Sequence, residues 1–376
     1  MVSRRDFIGA TATSAAVIAS APALMGGSGK AFAQGQKSAP ALKQSNKTKG
    51  GKWRPSYRLG QGGAPLAGSS GIRVTDQVAL ETLENAWNAG MRYYDTSPWY
   101  GLGLSERRFG MELHRKPKSD YEISTKIGRI LTAAAEAPKT AWADPDSFDY
   151  RYDYSAEATR RSVEDSLQRL GVSSIDVAFI HDLSPDNPDF SGSNYEDYMK
   201  QAIKGAMPEL TKMREEGMIK AWGMGVNTLD PILRCNEAAD ADLHLAACQY
   251  TLMDHEESLA KLFPSCDERG ISIVVGSPLN NGFLAGFDRY NYSGNIPDGF
   301  KEKRARMEAI AKSHGTDLRT AALHFCGAPE TVSSVIPGAN KPNQPAENVK
   351  SMKKELPADL WAELKSEKLI AENAPV

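Results

Sequence analysis

The chain has 376 residues, of which 41% are hydrophobic and 24% are charged. These are globular proportions, and they exclude a wholly disordered or collagen-like chain. The formal net charge of −2 argues against a general nucleic-acid binder, which needs a basic surface. The four cysteines are too few and too scattered for a disulfide framework, and none stands in a zinc-type C-x-x-C pair.

The first 33 residues have the features of a twin-arginine export signal. Arg4 and Arg5 precede an apolar run over residues 7–25, and residues 31–33 give a small-x-small cleavage pattern. This order predicts recognition by the twin-arginine translocation machinery, cleavage after Ala33 and a periplasmic protein. An N-terminal helix or an uncleaved membrane anchor is the alternative. The rest of the chain has no apolar run near the ~20 residues that a membrane span needs.

Residues 34–52 are rich in Gly, Ser, Lys and Gln and lack periodic apolar positions. That composition predicts a flexible linker. Residues 53–376 then form the folded domain, whose length fits a single α/β barrel.

From residue 57 onward, short apolar runs alternate with amphipathic segments. Parallel strands that are buried on both faces are expected to be short and continuously apolar. The candidate strands are Arg58–Gly63, Arg92–Asp95, Tyr121–Lys126, Ile175–His181, Ile219–Val226, Leu243–Tyr250, Ile271–Gly276 and Val332–Ile336. The candidate helices are Thr75–Ala89, Ser105–Leu113, Ser155–Leu170, Tyr195–Glu216, Leu229–Ala239, Leu259–Arg269, Lys301–Ser313, Leu318–Cys326, Ala346–Lys354 and Ala358–Ala371.

Eight such strand–helix units predict a (β/α)8 TIM barrel, an α/β fold. A doubly wound open sheet is the main alternative. No Gly-x-Gly-x-x-Gly pattern joins the first strand to the first helix, which argues against that alternative.

Four polar side chains follow consecutive predicted strands. Asp95 ends the second strand and Tyr100 lies just beyond it, Lys126 ends the third, and His181 ends the fourth. The carboxyl ends of barrel strands meet at one mouth, so an acid, a phenol, an amine and an imidazole are expected to converge there. Each has a structural explanation when taken singly. Together they predict a catalytic site that requires no metal.

These residues carry a resemblance to the aldo-keto reductase family. Residues 93–106 (YYDTSPWYGLGLSE) are similar to its strand-two signature, and the match continues through Lys126 and His181 to residues 336–348 (IPGANKPNQPAEN). Within the family the chain resembles the branch of D-threo-aldose (L-fucose) 1-dehydrogenases and pyridoxal 4-dehydrogenases. The resemblance implies hydride transfer with NAD or NADP. The substrate would be a small carbonyl compound or a sugar, interconverted with an alcohol or lactone.

Each catalytic candidate then has a role. Tyr100 gives or takes the proton, and the Lys126 ammonium is expected to lower its pKa. Asp95 pairs with Lys126, and His181 binds the substrate oxygen. Trp99 either lines the substrate pocket or packs beneath its loop.

The resemblance also implies a set of cofactor contacts. Asn227 and Gln249 correspond to positions that hold the nicotinamide carboxamide, and the turn at Ser277, Pro278 and Leu279 corresponds to a pyrophosphate-binding turn. The positions corresponding to those that hold the adenosine end are Gly338, Lys341, Gln344, Glu347 and Asn348.

Two positions depart from the family pattern. Gly276 stands where many members have an aromatic residue against nicotinamide, and Gln344 where many have an arginine for the 2′-phosphate. Glutamine cannot make the bidentate charged contact of arginine. Lys341 offers a compensating charge, so NAD and NADP both remain open.

Two long loops and two other functions remain open. The segments 131–154 and 182–193 either shape the substrate pocket or are surface excursions. A cofactor-holding sensor or partner subunit resembling potassium-channel β subunits is one alternative function. A barrel that binds a ligand without chemistry is the other, and the intact set of four catalytic candidates argues against it.

Overall fold

The computed structural model describes residues 38–190, 194–292 and 294–376, and the predicted export signal lies outside these ranges. Its strands are β1 (Gly60–Gly62), β2 (Tyr93–Asp95), β3 (Glu122–Ile127), β4 (Arg129–Ala133), β5 (Phe148–Tyr152), β6 (Val177–His181), β7 (Ala221–Val226), β8 (Leu243–Ala247), β9 (Ser272–Gly276) and β10 (Val332–Ile336). Its helices are α1 (Asp76–Asn88), α2 (Leu104–Leu113), α3 (Ala156–Leu170), α4 (Asn194–Lys204), α5 (Ala206–Glu215), α6 (Asp230–Ala238), α7 (Phe263–Asp267), α8 (Phe300–Ser313), α9 (Leu318–Gly327), α10 (Gln344–Lys353) and α11 (Ala358–Ser366).

Eight strands form one parallel sheet in the order β1-β2-β3-β6-β7-β8-β9-β10. Parallel bridges from Leu59 to Val335 and from Gly62 to Gly338 join the first strand to the last. The predicted (β/α)8 barrel is therefore confirmed, and each of its strands lies within or within one residue of a predicted run. The remaining two strands, β4 and β5, pair antiparallel as a hairpin after β3.

The barrel interior is closed by apolar side chains below the mouth. Tyr93 and Phe179 are fully buried within it, together with smaller apolar side chains of β6 to β10. A second, larger apolar core lies between the sheet and the helices. Alternation along each strand therefore places Asp95, Lys126 and His181 on the interior face, above an apolar floor.

The helix ends follow the local sequence signals. The Ser155 side chain accepts a hydrogen bond from the Ala158 N–H at the start of α3, and Gly171 ends that helix at a φ of 61°. Such a positive φ favours glycine. Ser105, the first residue of the predicted second helix, lies inside α2, and its hydroxyl donates a hydrogen bond to the carbonyl of Gly63.

The predicted long helix over 195–216 is two helices, α4 and α5. They separate at Gly205, which has a non-helical φ of −120° and ψ of −74°. A Cβ there would lie 2.9 Å from the Tyr154 carbonyl oxygen. Close approach of the two backbones requires the glycine.

The flexible linker predicted for 34–52 is wrong for residues 38–52. This segment forms an antiparallel ribbon with residues 53–58, through bridges from Lys43 to Tyr57 and from Lys47 to Trp53. Gln44 Nε2 donates to the Ser333 carbonyl at 2.5 Å, which anchors the ribbon to the barrel. Backbone pairing stabilises the segment without periodic apolar residues, so its composition did not reveal it. Within the described ranges, no helix is both long and apolar enough to cross a membrane.

Candidate active site

Lys126 and Asp95 form a buried ion pair at the mouth of the barrel. Lys126 Nζ lies 2.7 Å from Asp95 Oδ2 and donates at 2.8 Å to the Thr96 carbonyl, while Ser124 Oγ donates to Asp95 Oδ1 at 2.6 Å. The two charged side chains are 1% and 3% exposed. A buried pair needs such additional hydrogen bonds to offset its desolvation. The ammonium is therefore held in one position.

Tyr100 lies directly beside this pair. The Lys126 ammonium is 4.8 Å from the centroid of its ring, and the His181 ring is 5.7 Å away in an edge-on arrangement. Burial raises the pKa of Tyr100 well above 10, and the carboxylates of Asp95 and Asp182 raise it further. The direction of this shift is opposite to the lowering expected from Lys126. Burial and the two carboxylates therefore favour the protonated phenol.

The surroundings of His181 favour its neutral form. Its Nδ1 lies 3.1 Å from Ser97 Oγ and 3.3 Å from Arg129 Nη1. Burial holds the pKa of His181 well below 6.5, and the cations of Arg129 and Lys126 lower it further. A neutral imidazole carries one N–H, which it can donate to a substrate oxygen.

Arg129 is a site residue that the sequence analysis missed. It begins β4, and its side chain is 4% exposed. Its Nη1 donates to Asp182 Oδ2 at 2.9 Å, and the guanidinium lies over the rings of Trp99 and Tyr152, at 4.5 and 4.8 Å. Asp182 has a φ of 45°, uncommon for a side chain other than glycine. A charged residue followed by the apolar pair Ile130-Leu131, just after Lys126, was the available signal.

The hairpin after β3 brings aromatic rings to the mouth. The Trp99 ring packs against Trp142 at 5.9 Å and against Tyr150 at 4.9 Å, and Trp142 also packs against Tyr100 at 5.6 Å. We call Trp99, Trp142 and Tyr150 the aromatic wall. Trp142 Nε1 is buried and has no hydrogen-bond partner within the described ranges. The loop after β6 reaches the same hairpin, because Asp189 accepts a hydrogen bond from Tyr150 at 2.9 Å.

The predicted carboxamide-binding pair also comes together. Asn227 follows β7 and Gln249 follows β8. Gln249 Nε2 donates a hydrogen bond to the backbone carbonyl of Asn227 at 2.6 Å. Both side chains are partly exposed. Side-chain amides offer both donors and acceptors, which suits a carboxamide ligand.

The turn after β9 has an unusual backbone. Ser277 has a φ of 49°, and its Oγ lies 2.8 Å from the Tyr292 hydroxyl oxygen. The Pro278 carbonyl oxygen accepts a weak hydrogen bond from Cys326 Sγ at 3.7 Å. Leu279 packs against the apolar core between the sheet and the helices. Asn280 Oδ1, which follows this turn, is buried and finds no partner in the part of the chain that the structure describes.

At the start of α10, Gln344 Oε1 accepts the backbone N–H groups of Asn340 and Lys341, at 2.9 and 3.1 Å. Gln344 thus braces the loop that was predicted to hold adenosine.

The other predicted residues of that end are also engaged. Glu347 accepts a hydrogen bond from Asn343, and Asn348 Oδ1 accepts one from Arg319 Nη1 at 2.8 Å. Gly338 has no room for a side chain, since a Cβ there would lie 2.4 Å from Pro65 Cγ.

This end of the barrel fits a dinucleotide. Neutral amides follow β7 and β8, the unpartnered Asn280 oxygen follows β9, and the N-terminus of α10 presents the N–H end of a helix. Such a terminus favours a phosphate. Gly276 leaves the interior face of β9 without a side chain, and a Cβ there would lie 3.0 Å from Leu245 Cδ2. No group of three or more acidic, His or Cys side chains in the described ranges is arranged to hold a metal ion.

Comparisons with known proteins agree with this architecture. The model of the aldo/keto reductase family matches residues 58–368. A D-threo-aldose 1-dehydrogenase from Pseudomonas sp. is 36% identical, over 82% of this chain and 93% of that protein. A pyridoxal 4-dehydrogenase from Microbacterium luteolum is 33% identical, over 83% of this chain and 94% of that protein.

Solved structures share the fold at lower identity. A glycerol dehydrogenase from Gluconobacter oxydans superposes with a TM-score of 0.65 at 22% identity, over 88% of this chain and 96% of that one. An aldo/keto reductase from Klebsiella pneumoniae, solved with NADP and acetate, has a TM-score of 0.59 at 17% identity, over 85% of this chain and 95% of that one. From the family match and the two curated relatives, we conclude that the chain belongs to the aldo/keto reductase family and is an NAD(P)-dependent oxidoreductase.

Proposed function

We propose that this protein oxidises the hemiacetal carbon of an aldose to a lactone, and reduces a carbonyl in the reverse direction, with Tyr100 as the proton-transfer group. The observation that carries the proposal is the convergence of Tyr100, the Lys126–Asp95 pair and neutral His181 at one mouth. A positioned phenol, a fixed cation and a hydrogen-bond donor are what proton transfer to a carbonyl oxygen requires.

The residues divide the reaction between them. Bound nicotinamide would accept the hydride from the hemiacetal carbon or return it. His181 donates a hydrogen bond to the substrate oxygen and orients it toward Tyr100. During oxidation, the Tyr100 oxygen takes the hydroxyl proton, and during reduction it gives the proton back. The Lys126 ammonium, 4.8 Å from the ring centroid, stabilises negative charge as it develops on the phenol.

The aromatic wall supports a ring-shaped substrate. Trp99, Trp142 and Tyr150 present ring faces and edges beside Tyr100. Such surfaces pack against the carbon face of a sugar, and the buried Trp142 N–H can meet a hydroxyl. The names of the relatives favour the same class: a D-threo-aldose 1-dehydrogenase, and an L-galactose dehydrogenase from Arabidopsis thaliana that is 28% identical.

The cofactor is assigned to the opposite side of the mouth. Asn227 and Gln249 would hold the carboxamide, and the turn at Ser277 would face the pyrophosphate. The loop that Gln344 braces would hold the adenosine ribose. Gln344 supplies no cation for a 2′-phosphate, so this loop favours NAD unless Lys341 supplies the charge.

A direct test compares aldoses with their methyl glycosides. The purified protein should reduce NAD or NADP, seen as absorbance at 340 nm, with aldoses that have a free anomeric hydroxyl. Methyl glycosides are matched controls, because they keep the hydrogen on the anomeric carbon but have no anomeric hydroxyl proton for Tyr100 to remove. Nucleotide binding is measured separately by titration calorimetry. Binding without turnover of any aldose would refute the aldose assignment, and turnover of pyridoxal alone would replace it.

We also propose that the protein is exported to the periplasm by the twin-arginine machinery. The motivation is the order of Arg4, Arg5, the apolar run and the cleavage pattern ending at Ala33. Replacing both arginines by lysine should leave the precursor in the cytoplasm. The exported protein should begin at Gln34 in N-terminal sequencing. Export of the double variant at the parental rate would contradict this route.

A further inference from the structure

Arg129 lies outside the set of four catalytic candidates, yet it touches one of them. Its Nη1 contacts both His181 Nδ1, at 3.3 Å, and Asp182 Oδ2, at 2.9 Å, and its Nε donates to the Tyr152 hydroxyl at 3.1 Å. With Trp99 and Tyr152 on its guanidinium, this side chain has one orientation. The orientation matters because a guanidinium has only donors.

The contacts of Nδ1 determine which ring nitrogen of His181 carries the proton. Arg129 can only donate to Nδ1. Ser97 Oγ, at 3.1 Å, already accepts the Trp99 N–H, so its own hydrogen is free to donate. With donors on that side, Nδ1 must present its lone pair. The proton of the neutral ring is then on Nε2.

We propose that Arg129 is a positioning residue that holds His181 in the neutral tautomer with its proton on Nε2. The inference rests on the proposed function for the role of that proton, which is donated to the substrate oxygen. Asp182 Oδ1 lies 3.4 Å from Nε2, which is long for a hydrogen bond. The Nε2 proton therefore remains available. Asp182 instead serves mainly as the counter-ion of Arg129.

The charges around the His181 ring determine the direction in which removal of Arg129 shifts the pKa of His181. Arg129 and Lys126 are cations that disfavour imidazolium, and burial favours the protonated Tyr100 phenol. Asp182, whose Oδ1 lies 3.4 Å from Nε2, carries the opposite charge and favours imidazolium. In Arg129→Met, one cation is lost and Asp182 is left without its partner. Both changes favour imidazolium, so His181 should bind a proton closer to neutral pH.

The tautomer is measured directly by NMR of the whole chain labelled with 15N in its histidines, without substrate or nucleotide. The His181 signal is assigned by its loss in His181→Gln. The parent should show a protonated Nε2 and an unprotonated Nδ1 at every pH from 6 to 8. A protonated Nδ1, or titration of the ring in that range, would overturn the proposal. This readout does not depend on turnover, so an inactive chain with the expected spectrum would refute only the proposed function.

Variants then separate charge from tautomer. Arg129→Met should show imidazolium below pH 7 and a kcat/KM about 10-fold lower at pH 6, recovering toward pH 8. Arg129→Lys should keep the ring neutral and restore part of that loss. Arg129→Met with Asp182→Asn removes both charges, so the ring should stay neutral but populate the tautomer with the proton on Nδ1.

Arg151→Met is the matched control. Arg151 lies opposite Ile130 in the same hairpin, is exposed and pairs with Asp153. It should leave the spectrum and the pH profile unchanged. An Arg129→Met variant with the parental spectrum and pH profile would overturn the proposal. If that variant does not fold, the parental spectrum and Arg129→Lys still decide it.

Discussion

The two sides of the barrel mouth are built from different chemistry. On the side of β2, β3 and β6, ions are matched in pairs: Lys126 with Asp95, both buried, and buried Arg129 with partly exposed Asp182. On the side of β7 to β10, the polar groups are mostly neutral amides, and two of them, Gln249 and Gln344, hydrogen-bond to nearby backbone. In the proposed function, the first side is preorganised for charge that develops during the reaction. The second suits a ligand that brings its own charge.

The largest expected effect comes from breaking the buried pair. Lys126→Met should lower kcat at least ~100-fold, because it removes the cation beside Tyr100. It should also lower the free energy of unfolding by about 3–5 kcal/mol, since Asp95 is left buried and unpaired.

The double variant Lys126→Met with Asp95→Asn separates these two effects. Removal of both charges should recover most of the stability but none of the activity. Urea unfolding and steady-state kinetics measure the two properties. Recovery of activity in the double variant would show that Lys126 serves only as a counter-ion.

The neutral state of His181 makes the stability of this side depend on pH. The pKa of His181 is lower in the folded chain than the unfolded value near 6.5. Below pH 6.5 the unfolded chain therefore binds more protons, and the free energy of unfolding falls as the pH falls.

His181→Gln should reduce this slope by up to about 1.4 kcal/mol per pH unit, the effect of one proton. The remaining slope comes from other groups, among them His244, whose pKa burial lowers to about 3. Urea unfolding between pH 5 and 8 gives the comparison, and above pH 7.5 the two profiles should be parallel. Equal slopes in both proteins at low pH would mean that His181 is protonated in the folded state.

The amide side is tested at Gln344. Gln344→Arg should raise the ratio of NADP to NAD affinity about 10-fold, as expected for one added charged contact. It should weaken NAD binding, since the loop at Asn340 and Lys341 loses its acceptor and NAD has no 2′-phosphate to contact the new guanidinium. Gln344→Glu is the matched control, because it keeps the acceptor and adds the opposite charge. Gln344→Glu should lower the ratio of NADP to NAD affinity. Both ratios are measured by equilibrium titration. If neither variant changes the ratio, the ribose 2′ position does not lie beside Gln344.

The smallest expected effect is at the aromatic wall. Trp142→Phe keeps a ring but removes the N–H and part of the contact with Trp99 and Tyr100. We expect a KM for substrate roughly 3- to 10-fold higher with kcat nearly unchanged, because this is the change in affinity that the loss of one aromatic pair usually causes. Trp53→Phe, in the ribbon at residues 38–58, should change neither constant. A fall in kcat alone would assign Trp142 to the reaction step instead.

Site residues at the ends of barrel strands could be predicted from the sequence, whereas site residues in loops could not. Asp95, Lys126 and His181 each end an apolar strand, and barrel geometry brings strand ends together, so their convergence followed from the pattern. Arg129 lies in a hairpin outside the barrel. Its contact with His181, 52 residues away in sequence, leaves no periodic signal.

Two further positions, Gln344 on the amide side of the mouth and Gly205 between α4 and α5, show the same limit. Gln344 was read by its family position, but its bonds to Asn340 and Lys341 depend on how the loop closes. The break between α4 and α5 at Gly205 depends on the close approach of the Tyr154 backbone. Tyr154 lies outside both helices, so their periodicity does not report this contact. Sequence periodicity reports burial, whereas these contacts depend on loop geometry.

The central claim is that Tyr100 transfers the proton. Tyr100→Phe removes only the hydroxyl, so the account predicts a kcat at least ~100-fold lower with an unchanged Kd for the nucleotide. Tyr150→Phe is the matched control: it removes a phenol of the aromatic wall whose hydroxyl bonds Asp189, and it should keep kcat within a few-fold. The decisive measurement is kcat for all three proteins with the same aldose and nucleotide. Near-parental turnover in Tyr100→Phe would contradict the account.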